Sequence, residues 1–103
     1  MKTFPDFNED GVVVAFEVSK FLLSLRKIAK TLRDVPGVDN VERRRFFEFS
    51  DELVRFRFYG QPYVVVEPFG DNSRFFVVSK VEGAKSIDIA PIEQAFKTAS
   101  RFF

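Results

Sequence analysis

Histidine, cysteine and tryptophan are absent from this chain of 103 residues, and methionine occurs once. Without histidine there is no imidazole to serve as a general base near neutral pH. Without cysteine there is no thiolate nucleophile, no soft metal ligand and no disulfide framework. No apolar run approaches the ~20 residues that a membrane-crossing helix needs. Charged residues make up 30% of the chain, so no membrane partner is expected. The opening Met1-Lys2-Thr3-Phe4-Pro5-Asp6 lacks the apolar stretch of a secretory signal, and the expected location is the cytoplasm. Net charge is also lacking: 16 basic and 15 acidic residues leave +1, which gives no global pull towards nucleic acid or anionic lipid. Glycine-rich phosphate loops, metal-ligand spacings and nucleophile motifs are missing as well. The sequence therefore implies no catalytic residue, no cofactor and no metal, and an enzyme is the less favoured reading.

What the chain does have is phenylalanine, 15 of them. Each buried ring contributes on the order of 1.5–3 kcal/mol. Fifteen are more than one small core needs, which points to a second buried surface. The length fits a single domain, residues 1–103, with residues 1–10 as an arm docked by Phe4 and Phe7.

Apolar residues at Val14, Val18, Phe21, Leu22, Leu25, Ile28, Ala29 and Leu32 fall on one helical stripe. They predict a helix over residues 19–33, extended back to Val12. The run Val12-Val13-Val14 also suits a strand, so residues 12–16 stay open between helix and a fifth, edge strand. Asp34-Val35-Pro36-Gly37 ends the helix, because Pro36 disfavours helical geometry at Val35 and Gly37 supplies a turn.

The period then changes to two. Residues 41–49, 54–59, 63–67 and 74–81 read as four strands joined by short turns, which makes them antiparallel neighbours. A second helix follows, with Asp88 as cap, Pro91 in its first turn and a stripe of Ile92, Ala95, Phe96, Ala99, Phe102 and Phe103. The expected fold is α+β in two layers: N-terminal helix, four-stranded antiparallel meander, C-terminal helix.

The third and fourth of these strands are apolar on both faces, through Val64-Val65-Val66 and Phe75-Phe76-Val77-Val78. Either the helices lie on opposite sides of the sheet, or the N-terminal arm crosses its outer face, or that face meets a partner. The partner reading predicts a non-enzymatic interaction module that forms a homodimer or binds a protein. Its contact residues are Val64, Val66, Phe76 and Val78, with Phe46 and Tyr59 at the rim.

Arginine interleaved with aromatics supplies an alternative. Arg43, Arg44, Arg45, Arg55 and Arg57 beside Phe46, Phe47, Phe56, Phe58 and Tyr59 resemble a single-stranded nucleic-acid platform, with cations for phosphate and rings for bases. A four-residue loop over residues 50–53 sets Glu48 opposite Arg55 and Phe46 opposite Arg57. Two further candidates are weaker. The turn at residues 68–74 offers Asp71, Asn72, Ser73 and Arg74 to a polar ligand, although the same residues cap their own backbone. Glu67 shares the parity of Tyr63 and Val65 and points inward on that register. As a strand-end carboxylate it instead pairs with an arginine in water.

Overall fold

The computed structural model describes residues 1–20, 23–45, 51–67, 73–81 and 87–99. Its first strands occupy Thr3–Phe7 (β1) and Val13–Ser19 (β2), so the arm and the ambiguous valine run form a hairpin. Helix α1 is shorter than expected, Leu25–Arg33. Strands β3 to β6 follow at Val38–Arg43, Glu52–Phe58, Gln61–Val66 and Arg74–Ser79, and helix α2 spans Ala90–Thr98.

The fold is α+β, but its sheet has six strands instead of four, in the order β1-β2-β6-β5-β4-β3. All neighbours are antiparallel. The expected meander is β3 to β6, and the first hairpin extends it by pairing β2 with β6. The helical stripe read through Val14 and Val18 is a strand for a local reason. Phe16 and Val18 also share one buried face at a period of two, with Val13 joining the core beyond the extra residue Val14, and three β-branched residues favour the pleated backbone. Pairing on both flanks of β2 then decides it, with Phe16 opposite Pro5 on β1 and opposite Val77 on β6.

Helix α1 begins where Ser24 caps it, its Oγ accepting from the Lys27 amide at 3.1 Å. It ends at Asp34, before Pro36 and Gly37, as the sequence indicates. Helix α2 starts one residue later than the expected cap: its N-cap is Ile89, while the Asp88 carboxylate before it accepts from the Ala90 amide at 2.9 Å, and Pro91 lies in the first turn. Residues 100–103, with the last two rings of the predicted stripe, lie outside the described residues, as do Phe21 and Leu22.

Both helices cover the same face of the sheet. Ile28 and Leu32 of α1 and Ile92 and Phe96 of α2 join one buried cluster with Phe16, Val18, Val54, Phe56, Phe58, Val65 and Val77. Helix α1 packs on β3 and β4, α2 on β1 and β2, and the helices touch each other. The buried Glu93 on α2 accepts a hydrogen bond from the Thr3 hydroxyl at 2.8 Å, which ties the edge strand to the helix layer.

The two edges of the sheet are blunted. Strand β1 carries Pro5, which has no amide proton, and its register with β2 shifts between Asp6 and Phe7, where Val14 is the extra residue on β2. Strand β3 has a bulge between Asp39 and Glu42, and Asn40 within it sits at φ 51°. Bulges and proline on edges oppose further strand addition.

Candidate functional site

Register assigns each candidate to a face. Residues paired across antiparallel strands project to the same side. Val64 pairs with Val78 and Arg55, and Val66 pairs with Phe76 and Glu52. These residues alternate with the buried Val54, Val65 and Val77, so they lie on the face opposite the helices. Glu17, opposite Phe76, extends that face onto β2.

The outer face has an apolar centre and a charged frame. Val66, Phe76 and Val78 are half-buried, while Val64 is only 5% exposed. On one flank Arg74 Nη1 lies 3.5 Å from Glu17 Oε2, and its guanidinium stacks over Phe4 of β1 at 3.5 Å. On the other flank Arg55 approaches Glu42 at 3.7 Å. Lys80 meets Glu52 at 3.1 Å. Because Glu52 is on β4 and Lys80 follows β6, this pair spans β5, the strand that carries Val64. Exposed pairs of this kind contribute about 0–1 kcal/mol each, so they screen the centre more than they stabilise the fold. No described helix or strand crosses this face. The N-terminal segment reaches the sheet edge-on, as β1, and does not lie over the valines.

Tyr59 is highly exposed, at 68%, but it does not border these valines. It occupies the β4–β5 turn, at the far end of β5 from Val66. Tyr59 and Gly60 both have positive φ, 49° and 80°, the geometry of a two-residue type I′ hairpin. The turn is thus Tyr59-Gly60, one residue earlier than the Gly60-Gln61-Pro62 turn that the sequence suggests. Phe46 lies outside the described residues.

The five arginines are not brought together. Arg55 and Arg57 lie on the outer face, whereas Arg43 pairs with the buried Val54 and projects on the helix side. Arg55 stands opposite Glu42 and Arg57 opposite Asp39, not opposite Glu48 and Phe46. The expected four-residue loop fails because Arg44 already bonds the far strand, its amide donating to the Leu53 carbonyl at 2.8 Å. Residues 46–50 of the connection lie outside the described ones. The bulge at Asn40 adds a further residue of offset. Arg43, Arg44 and Arg45 instead line a groove with Leu25 of α1. Phe56 and Phe58, two of the aromatics interleaved with these arginines, are buried under the helices.

Glu67 lies beyond the end of β5, exposed, and pairs with Lys20 at 3.2 Å, not with an arginine. Of the turn at residues 68–74, only Ser73 and Arg74 are described, and Arg74 already belongs to β6. Among the described residues there is no group of three or more acidic side chains placed to hold a metal ion. No described helix is long and apolar enough to cross a membrane.

Among the described residues Tyr63 is the titratable group that is clearly perturbed. Tyr63 stacks on Phe56 at 5.7 Å, and burial pushes its phenol above the ordinary value. The neutral phenol is therefore favoured by folding. Its contribution is fully present below the unfolded pKa of about 10 and is lost as pH rises through the higher folded value. The urea midpoint of the wild type should fall above about pH 10, and Tyr63→Phe should flatten that fall. An unchanged slope in the variant would assign alkaline unfolding to other groups.

Comparison with protein-family models, curated proteins and solved structures gave no match to this chain.

Proposed function

We infer that this chain is a non-enzymatic protein-interaction module, which pairs with a second copy of itself or with a protein partner through the outer face of its sheet. The observation that carries this reading is the apolar centre of Val66, Phe76 and Val78 over Val64, framed by ion pairs and crossed by no described element. Protein interfaces have this plan, an apolar middle inside a polar rim. The blunted edges favour the face over strand addition as the route of association. Self-association is the tested form, because a two-fold interface buries the same patch on both copies.

Sedimentation equilibrium should find a dimer that dissociates on dilution. The double substitution Val66→Lys, Phe76→Lys places like charges from both copies at the centre. It should yield a monomer at concentrations where the wild type is dimeric, weakening association at least about 100-fold, since each 1.4 kcal/mol is tenfold. Both sites are half-exposed, so circular dichroism should report an intact fold. A wild type that stays monomeric at high concentration, with no protein recovered on the immobilised chain, removes the reading.

A further inference from the structure

We propose that a second surface, on the helix side of the β3 edge, binds the phosphate backbone of nucleic acid. It is formed by Arg43, Arg44 and Arg45 together with Arg26, Lys27 and Lys30 of α1. Two adjoining grooves define it. One is lined by Leu25 with the three arginines, and the other by Ser24, Arg26, Lys27 and Lys30. They meet at the first turn of α1, where Ser24, Leu25 and Arg26 are consecutive. The juxtaposition follows from the fold, because α1 packs on β3 and the register sends Arg43 towards the helix layer. The three arginines, Arg26 and Lys30 are exposed.

The chemistry of the lining selects the partner. Among the described residues no carboxylate lines either groove, and the first turn of α1 contains no acidic residue. Residues 20–57 carry ten basic and six acidic side chains, a local excess of positive charge in a nearly neutral chain. The cations are spread out. An extended run of three arginines covers about 7 Å, and Arg26 to Lys30 rises about 6 Å along the helix. A polymer with closely spaced phosphates neutralises several of them at once, and arginine forks fit phosphate oxygens in pairs. The strongly exposed apolar side chains among the described residues, Phe7, Tyr59 and Val81, are all elsewhere. Among the described residues the surface therefore offers no apolar anchor for a protein hot spot and no wedge for a bilayer. Nor, among the described residues, does it offer a ring for base stacking, so the proposal is confined to the nucleic-acid backbone.

Fluorescence anisotropy of a labelled oligonucleotide, single-stranded and duplex, tests this on the full chain. If about four phosphates are contacted, affinity for the duplex should fall on the order of 100-fold between about 50 and about 200 mM salt. Arg43→Gln, Arg44→Gln, Arg45→Gln should weaken binding at least about tenfold and flatten the salt slope. Lys27→Gln, Lys30→Gln, on the other side of the groove, should do the same to a smaller degree. Arg55→Gln, Arg57→Gln, on the opposite face of the sheet, should leave affinity unchanged. The proposal is overturned if the oligonucleotide does not bind at low salt. It is equally overturned if the Arg55 and Arg57 pair alone carries the affinity, or if vesicles rich in phosphatidylserine bind more tightly than either oligonucleotide. The Val66→Lys, Phe76→Lys variant lies on the other face, so loss of pairing and loss of nucleic-acid binding are read separately.

Discussion

Phe16→Ala is expected to lower the unfolding free energy by about 3–5 kcal/mol, a large share of the roughly 5–15 kcal/mol typical of a whole domain. Phe16 is fully buried and lies at the junction of the two layers. It is paired with Val77 across β2 and β6, and its ring meets that of Phe96 on α2 at 5.7 Å, tilted by 54°. Truncation removes the ring's transfer free energy and leaves a void between sheet and helix, which a core packed at crystal density fills poorly. The first hairpin joins the meander through β2 and β6 alone, so the damage falls at the seam between them. Urea denaturation followed by circular dichroism measures the effect. Each 1 kcal/mol should also lower Tm by about 4–8 °C in a domain of this size. A loss below about 1 kcal/mol would mean that β2 does not contribute to the core in the way described.

Gly37→Ala is the second large effect, and its origin is different. Gly37 has φ 91°, and a Cβ built there would lie 2.6 Å from Tyr59 Cζ and 2.8 Å from Cε2. The Tyr59 ring rests on the bare glycine, and the Tyr59 amide donates to the Gly37 carbonyl at 2.9 Å. Alanine therefore meets two obstacles, a left-handed backbone that costs about 1–3 kcal/mol and a ring that must swing into solvent. A double-mutant cycle with Tyr59→Ala separates them. The second change should recover the steric part and none of the backbone part. Full recovery in the double variant would show that Gly37 is there for space alone. No loss in Gly37→Ala would show that the α1–β3 turn does not need this conformation.

Where sequence and structure part company, the deciding interaction is either remote in the chain or a local irregularity with no strong sequence mark. Strands β4 to β6 are legible because alternation of Val54, Phe56 and Phe58, and of Phe75 and Val77, needs only one buried face. The end of α1 is legible because Pro36 and Gly37 act on their own backbone. Ser24 is a start signal of the same local kind, outweighed by a stripe that continued through Val14 and Val18. Those residues serve a helix or a strand equally well by themselves. The arginine platform failed through register. One bulged residue at Asn40 and an early backbone bond at Arg44 send Arg43 to the opposite face from Arg55 and Arg57, and neither event has a strong sequence mark. Tyr59 in a left-handed turn was hidden for another reason, since that position usually calls for asparagine, aspartate or glycine.

The order of residues alone determined that this chain builds an antiparallel sheet with two amphipathic helices. It also determined that Val64, Val66, Phe76 and Val78 share a parity, because periodicity and turn chemistry act over a few neighbours. Only the tertiary arrangement decided that both helices cover one face, that the N-terminal segment joins the sheet at its edge, and that Arg43 to Arg45 stand beside α1. Those outcomes depend on β2 finding β6 across more than fifty residues, and such long-range pairing is set by which buried surfaces fit together.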